Sequence, residues 1–354
     1  MKYDLCCLGS ALVDITFQID DDFVKANEER GIAKGGMTLI EKDDQINLIQ
    51  ELIDLGKLPD KACGGSATNS VVAASLFGSS CHMSCIVSDD DNGRFYLEDL
   101  SSNGIGHTSE LIDSEIPSGQ CLVMISDDAE RTMCTNLGIN SNISTSNVDQ
   151  EVIKNSDYIF LEGYLVASTD GYNTFKEAIT QAKKHDTKVA LSLSDTFIVN
   201  SFKKELVELI EINCDLIFCN ESESQEFAGS VIEKEIFSYF KDYTRNLIIT
   251  KGSDGCIGYD ENYEFSVSGE EVKAIDTNGA GDMFAGAVLN GLNNQKNLEE
   301  SSKFGCYAAS KIVQKNGPRL AKKEYEEIKR TFTSNWKIIL LNCCAFSIKQ
   351  LENS

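Results

Sequence analysis

The sequence predicts an α/β protein built on a doubly wound, mostly parallel sheet with helices on both faces. Short apolar runs alternate with amphipathic segments along most of the chain, which is the pattern of a parallel sheet covered on both sides. The 354 residues also exceed the usual size of a single core, so one large domain with an appendage, or two domains, is expected. Two stretches that break the alternation predict where the appendage lies.

The elements of the large sheet follow one another along the chain. The apolar runs predict strands at Tyr3–Leu8, His82–Val87, Tyr158–Leu161, Lys188–Leu193, Leu216–Cys219 and Leu247–Thr250. The amphipathic segments predict helices at Arg94–Ser102, Gly171–His185, Ser201–Ile212, Glu221–Phe227 and Ser301–Val313.

Two regions interrupt this order. The first contains a charged helical piece, Asp20–Arg30, and continues into glycine-rich residues 31–36. The second, within residues 106–138, predicts strands at Cys121–Ser126 and Arg131–Asn136 around a polar turn. Both regions therefore break the alternation of strands and helices that the remaining chain shows.

The composition limits the classes of partner. There are 32 basic and 56 acidic residues, a net charge of −24, which disfavours nucleic acid and acidic membrane surfaces as partners. The thirteen cysteines form an odd number and no secretory signal precedes them, which favours the cytoplasm. The apolar run at residues 338–346 is about half the length of a membrane span.

The segment from Asp276 to Asp282, with the sequence Asp-Thr-Asn-Gly-Ala-Gly-Asp, carries the clearest chemical signal. Small residues at a predicted helix start leave backbone N–H groups free, and the helix dipole adds positive charge, so the segment predicts an anion site. A carboxylate beside such a site suits a general base for a hydroxyl that attacks a phosphoryl group. The simpler alternative is that Asp282 caps its helix.

This segment resembles the C-terminal signature of the ribokinase-like (PfkB) kinase family at every fixed position, and Asn278 in its variable position is usual in the adenosine-kinase branch. Similar segments elsewhere are Gly9–Ile15, Gly64–Ser70, Glu130–Thr135, Asn220–Glu223, Thr250–Gly255 and Gly317–Arg319. The resemblance implies a ribokinase-like fold. Residues 1–15, 41–105 and 138–333 would form the α/β domain, and residues 16–40 and 106–137 a small β-rich lid over the substrate. The tail, residues 334–354, has no assigned role.

For the phosphoryl donor, the sequence lacks a P-loop, so the resemblance assigns the phosphate cradle to Gly279, Ala280 and Gly281. It implies that Asn220 and Glu223 hold magnesium, mainly through water. It also assigns ATP contacts to Thr250, Gly252, Gly255, Thr277 and Asn316. The alternatives are that Asn220 only caps the next helix and that the glycines only form a β-turn. Whether the protein also binds a monovalent cation is left open by the sequence.

For the acceptor, a carboxylate with a side-chain amide suits the cis-diol of a ribose, and adjacent glycines let the backbone approach the sugar. The resemblance assigns these roles to Asp14, Gly64, Gly65 and Asn69. It also implies that Leu12, Met37 and Phe197 line a purine pocket, and that Arg131 moves from the lid to the transferred phosphate. Each residue taken alone also fits a surface, turn or core position.

The sequence is therefore interpreted as an ATP- and magnesium-dependent kinase that phosphorylates the 5′-hydroxyl of a nucleoside, adenosine first, as in purine salvage. One alternative is a PfkB sugar kinase acting on ribose, fructose or a related sugar. The other is a non-catalytic nucleoside- or sugar-binding regulatory protein. Ser192 and the pair Asp195-Thr196 differ from the usual residues of the adenosine-kinase branch, which leaves the choice of purine open. Either a monomer or a homodimer is expected.

Overall fold

The computed structural model describes residues 2–128 and 130–334. The strands are β1 (Tyr3–Leu8), β2 (Leu12–Gln18), β3 (Met37–Leu39), β4 (Asp60–Gly64), β5 (Cys81–Ser84), β6 (Val87–Ser88), β7 (Gly106–His107), β8 (Leu111–Ile112), β9 (Gly119–Ile125), β10 (Arg131–Asn136), β11 (Ser156–Glu162), β12 (Lys188–Ser192), β13 (Leu216–Asn220), β14 (Leu247–Thr250), β15 (Cys256–Tyr259) and β16 (Glu264–Val267). The helices are α1 (Asp21–Glu28), α2 (Lys42–Asp54), α3 (Ser66–Leu76), α4 (Asp91–Ser102), α5 (Gln150–Lys154), α6 (Thr169–Lys184), α7 (Thr196–Ile212), α8 (Glu221–Ala228), α9 (Glu233–Lys241), α10 (Ala280–Asn293) and α11 (Leu298–Ile312), and residues 322–334 lie in a further helix, α12.

The large sheet has the strand order β16-β15-β14-β13-β12-β11-β1-β5-β7. Its strands from β14 to β7 pair in parallel, and β15 and β16 add an antiparallel hairpin at one edge. The fold class expected from the alternating sequence pattern is thus confirmed. In the described part of the chain, no helix is long and apolar enough to cross a membrane.

Both faces of the large sheet are covered, because neighbouring residues of a buried strand point to opposite sides. Leu8 of β1 belongs to the core that contains Phe175 of α6. Its neighbour Cys7 belongs to the opposite core, with Val71 of α3 and Phe284 of α10. This explains why the central strands are apolar at nearly every position.

A second sheet, here called the small sheet, has the order β3-β10-β9-β2-β4. One of its faces packs on α1 and α2 through a separate apolar core that includes Phe17, Leu48, Leu52 and Leu122. β2 connects the two sheets directly, because it begins four residues after β1 ends. The other face of the small sheet contributes to the site described below.

Some segments lie in a different sheet from the one that the sequence indicated. β4 and α2 fall within residues 41–105 yet belong with the small sheet, whereas β7 of the predicted lid joins the large sheet. β4 was missed because it is a short edge strand whose first two residues are exposed, so it has no apolar run. The strand expected at His82–Val87 is two strands, β5 and β6, which pair in different sheets and are separated by Cys85 and Ile86.

Candidate active site

The parallel strands of the large sheet end along one edge, and the segments after them carry polar side chains. Leu8 at the end of β1 is in register with Leu161 of β11, and Asn220 of β13 with Thr250 of β14. Ligands of open α/β sheets bind at this carboxyl edge. The start of α10 is the feature around which the site is built.

Helix α10 begins in a conformation that requires glycine. Gly279 precedes the helix with φ of +69°, and a Cβ at this position would lie 2.4 Å from the carbonyl oxygen of Pro318. At Gly281 an added Cβ would meet no described heavy atom within 4 Å, so the space in front of the helix is open. No side chain of the described residues caps α10, and the Ala280 N–H makes only a long hydrogen bond, 3.2 Å, to Thr277 O. The helix start therefore has the donors and the space that an anion needs.

Asp282 does not cap its own helix. Its Oδ1 accepts from Ser66 Oγ (2.7 Å) and its Oδ2 from Asn69 Nδ2 (2.9 Å), both on α3. Burial raises the pKa of the Asp282 carboxyl, although these two hydrogen bonds oppose the rise. A fixed carboxylate with a raised pKa is suited to accepting a proton from a hydroxyl group.

Asp14 is a second buried carboxylate of the site, on β2. Burial raises its pKa to about 7; Arg319 and Arg131 lower it, and the negative charge of Asp282 adds to the rise. A Cβ at Gly64 would lie 2.2 Å from Asp14 Oδ1, so a larger residue there would displace the Asp14 carboxylate from its present position. The Asp14 carboxylate therefore occupies the space that a side chain at position 64 would otherwise fill.

Asp14 and Asp282 line one cavity, here called the acceptor cavity, of about 230 Å³. Of the residues expected to bind the acceptor, it brings together Leu12, Asp14, Met37, Gly65, Asn69 and Arg131. Gly279 and Asn278 also line it. Further apolar walls come from Leu39, Val123, Met133, Leu137, Ala167 and Ile198.

The apolar wall of the acceptor cavity follows the register of the small sheet. Met133 of β10 pairs with Met37 of β3 on one side and Val123 of β9 on the other, so the three side chains form one row across the sheet. Cys121 of β9 lies two residues before Val123 and pairs with Asp14. An apolar row and a carboxylate therefore lie side by side on the same face.

Arg131 joins the small sheet to the α10 loop. Its guanidinium pairs through Nη2 with the carboxylate of Asp276, and the side chain is only 13% exposed. Asp276 in turn accepts from the N–H groups of Asn278 (2.9 Å) and Gly317 (2.7 Å). The arginine expected to reach the transferred phosphate is thus beside the anion site, and its present partner is a carboxylate.

A second cavity of about 240 Å³, here called the nucleotide cavity, shares the start of α10. It brings together six residues expected at the phosphoryl donor: Thr250, Gly252, Gly255, Thr277, Ala280 and Gly281. Its apolar walls come from Val272, Ala274, Phe284, Cys306, Ala309 and Val313. An apolar slot next to the backbone N–H groups of a helix start suits an adenine joined to phosphates.

Asn220 and Glu223 first serve as a capping box of α8. Asn220 Oδ1 accepts from the Glu223 N–H (2.8 Å), and Glu223 Oε2 accepts from the Asn220 N–H (3.0 Å). Neither residue lines either cavity. Burial raises the pKa of Glu223 to about 7, and the negative charge of Asp195 adds to the rise. Oxygen donors with unneutralised charge fit a divalent cation held through water.

Comparisons with known proteins identify the family. Residues 31–324 match the profile of the pfkB family carbohydrate kinases, which covers most of the chain. This chain belongs to the PfkB kinase family. It is a phosphotransferase that acts on an alcohol group.

Individual relatives of this PfkB kinase include nucleoside and sugar kinases. An adenosine kinase of Dictyostelium discoideum is 25% identical over 337 residues, 88% of this chain and 95% of that protein. The crystal structure of adenosine kinase from Sinorhizobium meliloti has a TM-score of 0.84 at 28% identity, covering 90% of this chain and 96% of that one. A probable sugar kinase from Rhizobium etli CFN 42 has a TM-score of 0.86 at 25% identity, covering 94% and 99%. These similarities support a nucleoside or sugar kinase with the ribokinase-like fold.

Phe197 and Asn316, like Asn220 and Glu223, were expected in the site of this PfkB kinase and lie outside the linings of both cavities. Phe197 is 44% exposed and packs against Phe202, outside the lining of both cavities. Its neighbour Ile198 is buried and lines the acceptor cavity instead, because successive residues at the start of α7 point about 100° apart. Asn316 is exposed and also lies outside both linings; the next residue, Gly317, makes the contact with Asp276.

Two residues of the site were not found from the sequence. Glu162, which is 1% exposed, accepts from the N–H groups of Ser10 (2.6 Å) and Ala67 (2.8 Å) and lines the acceptor cavity. The sequence did contain a signal for Glu162, because it is a charged residue at the end of the apolar strand β11. Arg319 donates through Nε to Asn69 Oδ1 (2.8 Å). Its segment resembled the family, but no role followed from the resemblance.

Proposed function

We propose that this PfkB kinase transfers the γ-phosphoryl group of ATP to the 5′-hydroxyl of a nucleoside, with adenosine as the first candidate and AMP as the product. The observation that carries the proposal is the two-part acceptor cavity. Asp14 supplies a carboxylate for a diol, and the row formed by Met37, Met133 and Val123 supplies an apolar wall beside it. A free pentose has hydroxyl groups around its ring and lacks an apolar group that would pack against such a wall.

In this proposal the base of the nucleoside lies against the apolar row, and its ribose diol donates to Asp14. The 5′-hydroxyl then faces Asp282, which takes its proton as the new bond to phosphorus forms. The N–H groups at the start of α10, from Gly279 to Gly281, stabilise the negative charge that develops on the transferred group. Gly279 and Asp282 line the acceptor cavity, whereas Ala280 and Gly281 line the nucleotide cavity, so the two substrates would meet at this helix start.

The donor side follows from the same placement. The adenine of ATP would occupy the apolar part of the nucleotide cavity, between Phe284 and Val313, with its phosphates toward Gly281. Magnesium, held through water by Glu223 and Asn220, would supply positive charge to the donor phosphates. Arg131 would exchange Asp276 for the transferred phosphoryl group, which offers it more negative charge.

A coupled assay of ADP release tests the proposal. Adenosine, inosine, ribose and fructose are each offered to the purified protein with ATP and magnesium, and kcat/KM is compared. We expect adenosine to have the highest value and 2′-deoxyadenosine to be a poor substrate, because it lacks one hydroxyl of the diol. If ribose or fructose is turned over efficiently and adenosine is not, the nucleoside assignment is wrong and the family assignment stands.

A sugar kinase is the second candidate, and one observation favours it. Phe197, the aromatic residue expected against the purine, points away from the acceptor cavity and is 44% exposed. Ile198 and Ala167 line the acceptor cavity instead, and Tyr164 is the one aromatic residue among the described residues that line it. A sugar acceptor would use Asp14 and Asp282 in the same way, so the assay above decides between the two through the acceptor alone.

A further inference from the structure

Arg319 lies between the last two helices, in the segment Gly317–Arg319 that packs against the start of α10. Its side chain is 14% exposed. The guanidinium has two partners on different helices: Nε donates to Asn69 Oδ1 of α3 (2.8 Å), and Nη1 pairs with the carboxylate of Asp99 of α4. Asn69 then donates from Nδ2 to Asp282 Oδ2 (2.9 Å). A chain of hydrogen bonds thus links Arg319 to the carboxylate beside the anion site.

The direction of this chain is fixed by the chemistry of its ends. A guanidinium has only donors and an ionised carboxylate only acceptors, so the amide of Asn69 satisfies both in one orientation alone. Turned over, it would place its NH₂ group against Arg319 and its oxygen against Asp282, and both contacts would be repulsive. Arg319 and Asp282 therefore fix the orientation of the Asn69 side chain together, with Arg319 holding the oxygen end.

We propose that Arg319 is a positioning residue for phosphoryl transfer, which acts by holding Asn69 in the orientation that donates to Asp282. This inference rests on the proposed role of Asp282 as the base. With Asn69 fixed, both oxygens of Asp282 are held, one by Ser66 and one by Asn69, and the carboxylate is directed at a single place in the acceptor cavity. Without Arg319, the oxygen end of the amide loses its donor, so Asn69 is held through Asp282 alone and its hydrogen bond to the carboxylate is less firmly fixed.

The loss of this donor has a measurable signature in the ionisation of Asp282. Burial raises the pKa of Asp282, and the hydrogen bond from Asn69 is the first of the effects that lower it. The other ionisable groups that interact with Asp282 are Asp14, Arg131, Glu162, Tyr164, Tyr325 and Arg319 itself. Removal of Arg319 takes away both its charge and the fixed Asn69 donor, so the pKa of Asp282 rises. The acid limb of kcat should then move to higher pH.

The competing explanation is that Arg319 is only a structural ion pair with Asp99. Two variants separate the explanations. Arg319→Met removes the donor to Asn69, whereas Asp99→Asn removes the ion-pair partner and leaves the contact between Arg319 and Asn69 in place. Arg319→Lys keeps the charge but offers a point donor instead of a planar fork, so it should restore only part of the activity.

The experiment measures kcat against pH at saturating ATP and acceptor, using whichever acceptor the full chain phosphorylates best, with thermal unfolding as a check on folding. We expect Arg319→Met to lower kcat by about 10- to 100-fold, less than removal of the base itself, and to move the acid limb to higher pH. Asp99→Asn should lower the unfolding temperature and leave the acid limb in place.

A double-variant cycle with Asn69→Ala completes the test. If Arg319 acts through Asn69, Arg319→Met should cost less than about threefold in the Asn69→Ala background. Full additivity of the two changes, an unmoved acid limb, or equal effects of Arg319→Met and Asp99→Asn on kcat would overturn the proposal. Asp282→Asn is measured in parallel. If that variant keeps its activity, the base assignment itself is wrong; if it is inactive while Arg319→Met is active as the wild type, only the positioning role is wrong.

Discussion

The acceptor and nucleotide cavities are nearly equal in volume, about 230 and 240 Å³, yet they are built in opposite ways. Side chains from both sheets and from helices form the acceptor cavity, including the carboxylates of Asp14 on β2 and Asp282 on α10. Glycines and backbone N–H groups form much of the nucleotide cavity around Gly252, Gly255 and Gly281. A site whose binding groups are backbone N–H groups depends on a short local sequence motif. A site made of side chains depends on how distant strands pair, and it can differ between kinases that share one mechanism.

The largest effect is expected at Asp282, where the two cavities meet. Asp282→Asn keeps the shape but replaces one accepting oxygen with an NH₂ donor and cannot accept a proton, so kcat should fall by at least about 100-fold. Binding of ATP and of the acceptor, measured by calorimetry, should change little. A variant with near-wild-type kcat would show that proton transfer at Asp282 does not limit the reaction.

A smaller effect, confined to the acceptor cavity, is expected for Asp14→Ala. Hydrogen bonds to a charged group contribute about 1.5–3 kcal/mol, so the KM of the acceptor should rise about 10- to 100-fold. The KM of ATP should stay within about twofold, because Asp14 lines only the acceptor cavity. An equal rise in the KM of the acceptor and the KM of ATP would show that the two cavities do not bind their substrates independently.

The apolar row is tested by Met133→Ala, with Phe197→Ala as the matched control. Loss of apolar wall against a base should cost about 1–3 kcal/mol in kcat/KM for adenosine. Ribose, which has no base, should be affected much less. Phe197 is outside the lining of the cavity, so its removal should change kcat/KM by less than about twofold for either acceptor. A large fall in kcat/KM for adenosine alone in Phe197→Ala would indicate that Phe197 does contact the base.

The pH dependence of acceptor binding should reveal Asp14. Its pKa is about 7 in the folded protein, and the neutral acid is a weaker acceptor for a diol than the carboxylate. Between pH 8 and pH 6 the ionised fraction falls about tenfold, so kcat/KM for the acceptor should fall by about the same factor. Asp14→Asn should lack this step and keep any step that belongs to Asp282.

The same shift predicts a change in stability with a defined sign. The pKa of Asp14 is raised from 3.8 on folding, so its neutral form contributes stability below pH 3.8, and this contribution is lost as the pH rises through about 7. Asp14→Asn removes the cost of burying the charge. The variant should therefore unfold at a higher temperature than the wild type at pH 8. A lower unfolding temperature at that pH would mean that Arg131 and Arg319 stabilise the charge more than burial penalises it.

The large sheet and the α10 motif could be predicted from the sequence because both are local signals. Leu216–Cys219 is an apolar run that forms β13, and residues 276–282 contain the whole helix start. The apolar row could not be predicted in full. Met133 and Val123 line the cavity only because β10 pairs with β9 in one register, and a shift of one residue would turn both away from it.

Other errors have equally physical causes. Phe197 and Ile198 are adjacent apolar residues at a helix start, and only the rotation of α7 decides which of them is buried. Asn220 and Glu223 form the capping box that their spacing favours, so the motif alone does not separate a cap from a magnesium site. The magnesium role of this pair stays a prediction. The tail from residue 335 onward, including the expected run at 338–346, lies outside the described residues.

Glu162 makes assembly of the acceptor cavity depend on a late part of the chain, because it binds two segments that are synthesised much earlier. Its two oxygens hold the backbone at Ser10 and Ala67, which lie 152 and 95 residues earlier in the chain. On a ribosome, the segments that bear Asp14 and Asn69 would emerge long before the carboxylate that holds them together. The acceptor cavity can therefore close only after β11 has joined β1, and Asp282 arrives later still. With Asp282 in its proposed role as the base, turnover is expected only after the start of α10 has been synthesised.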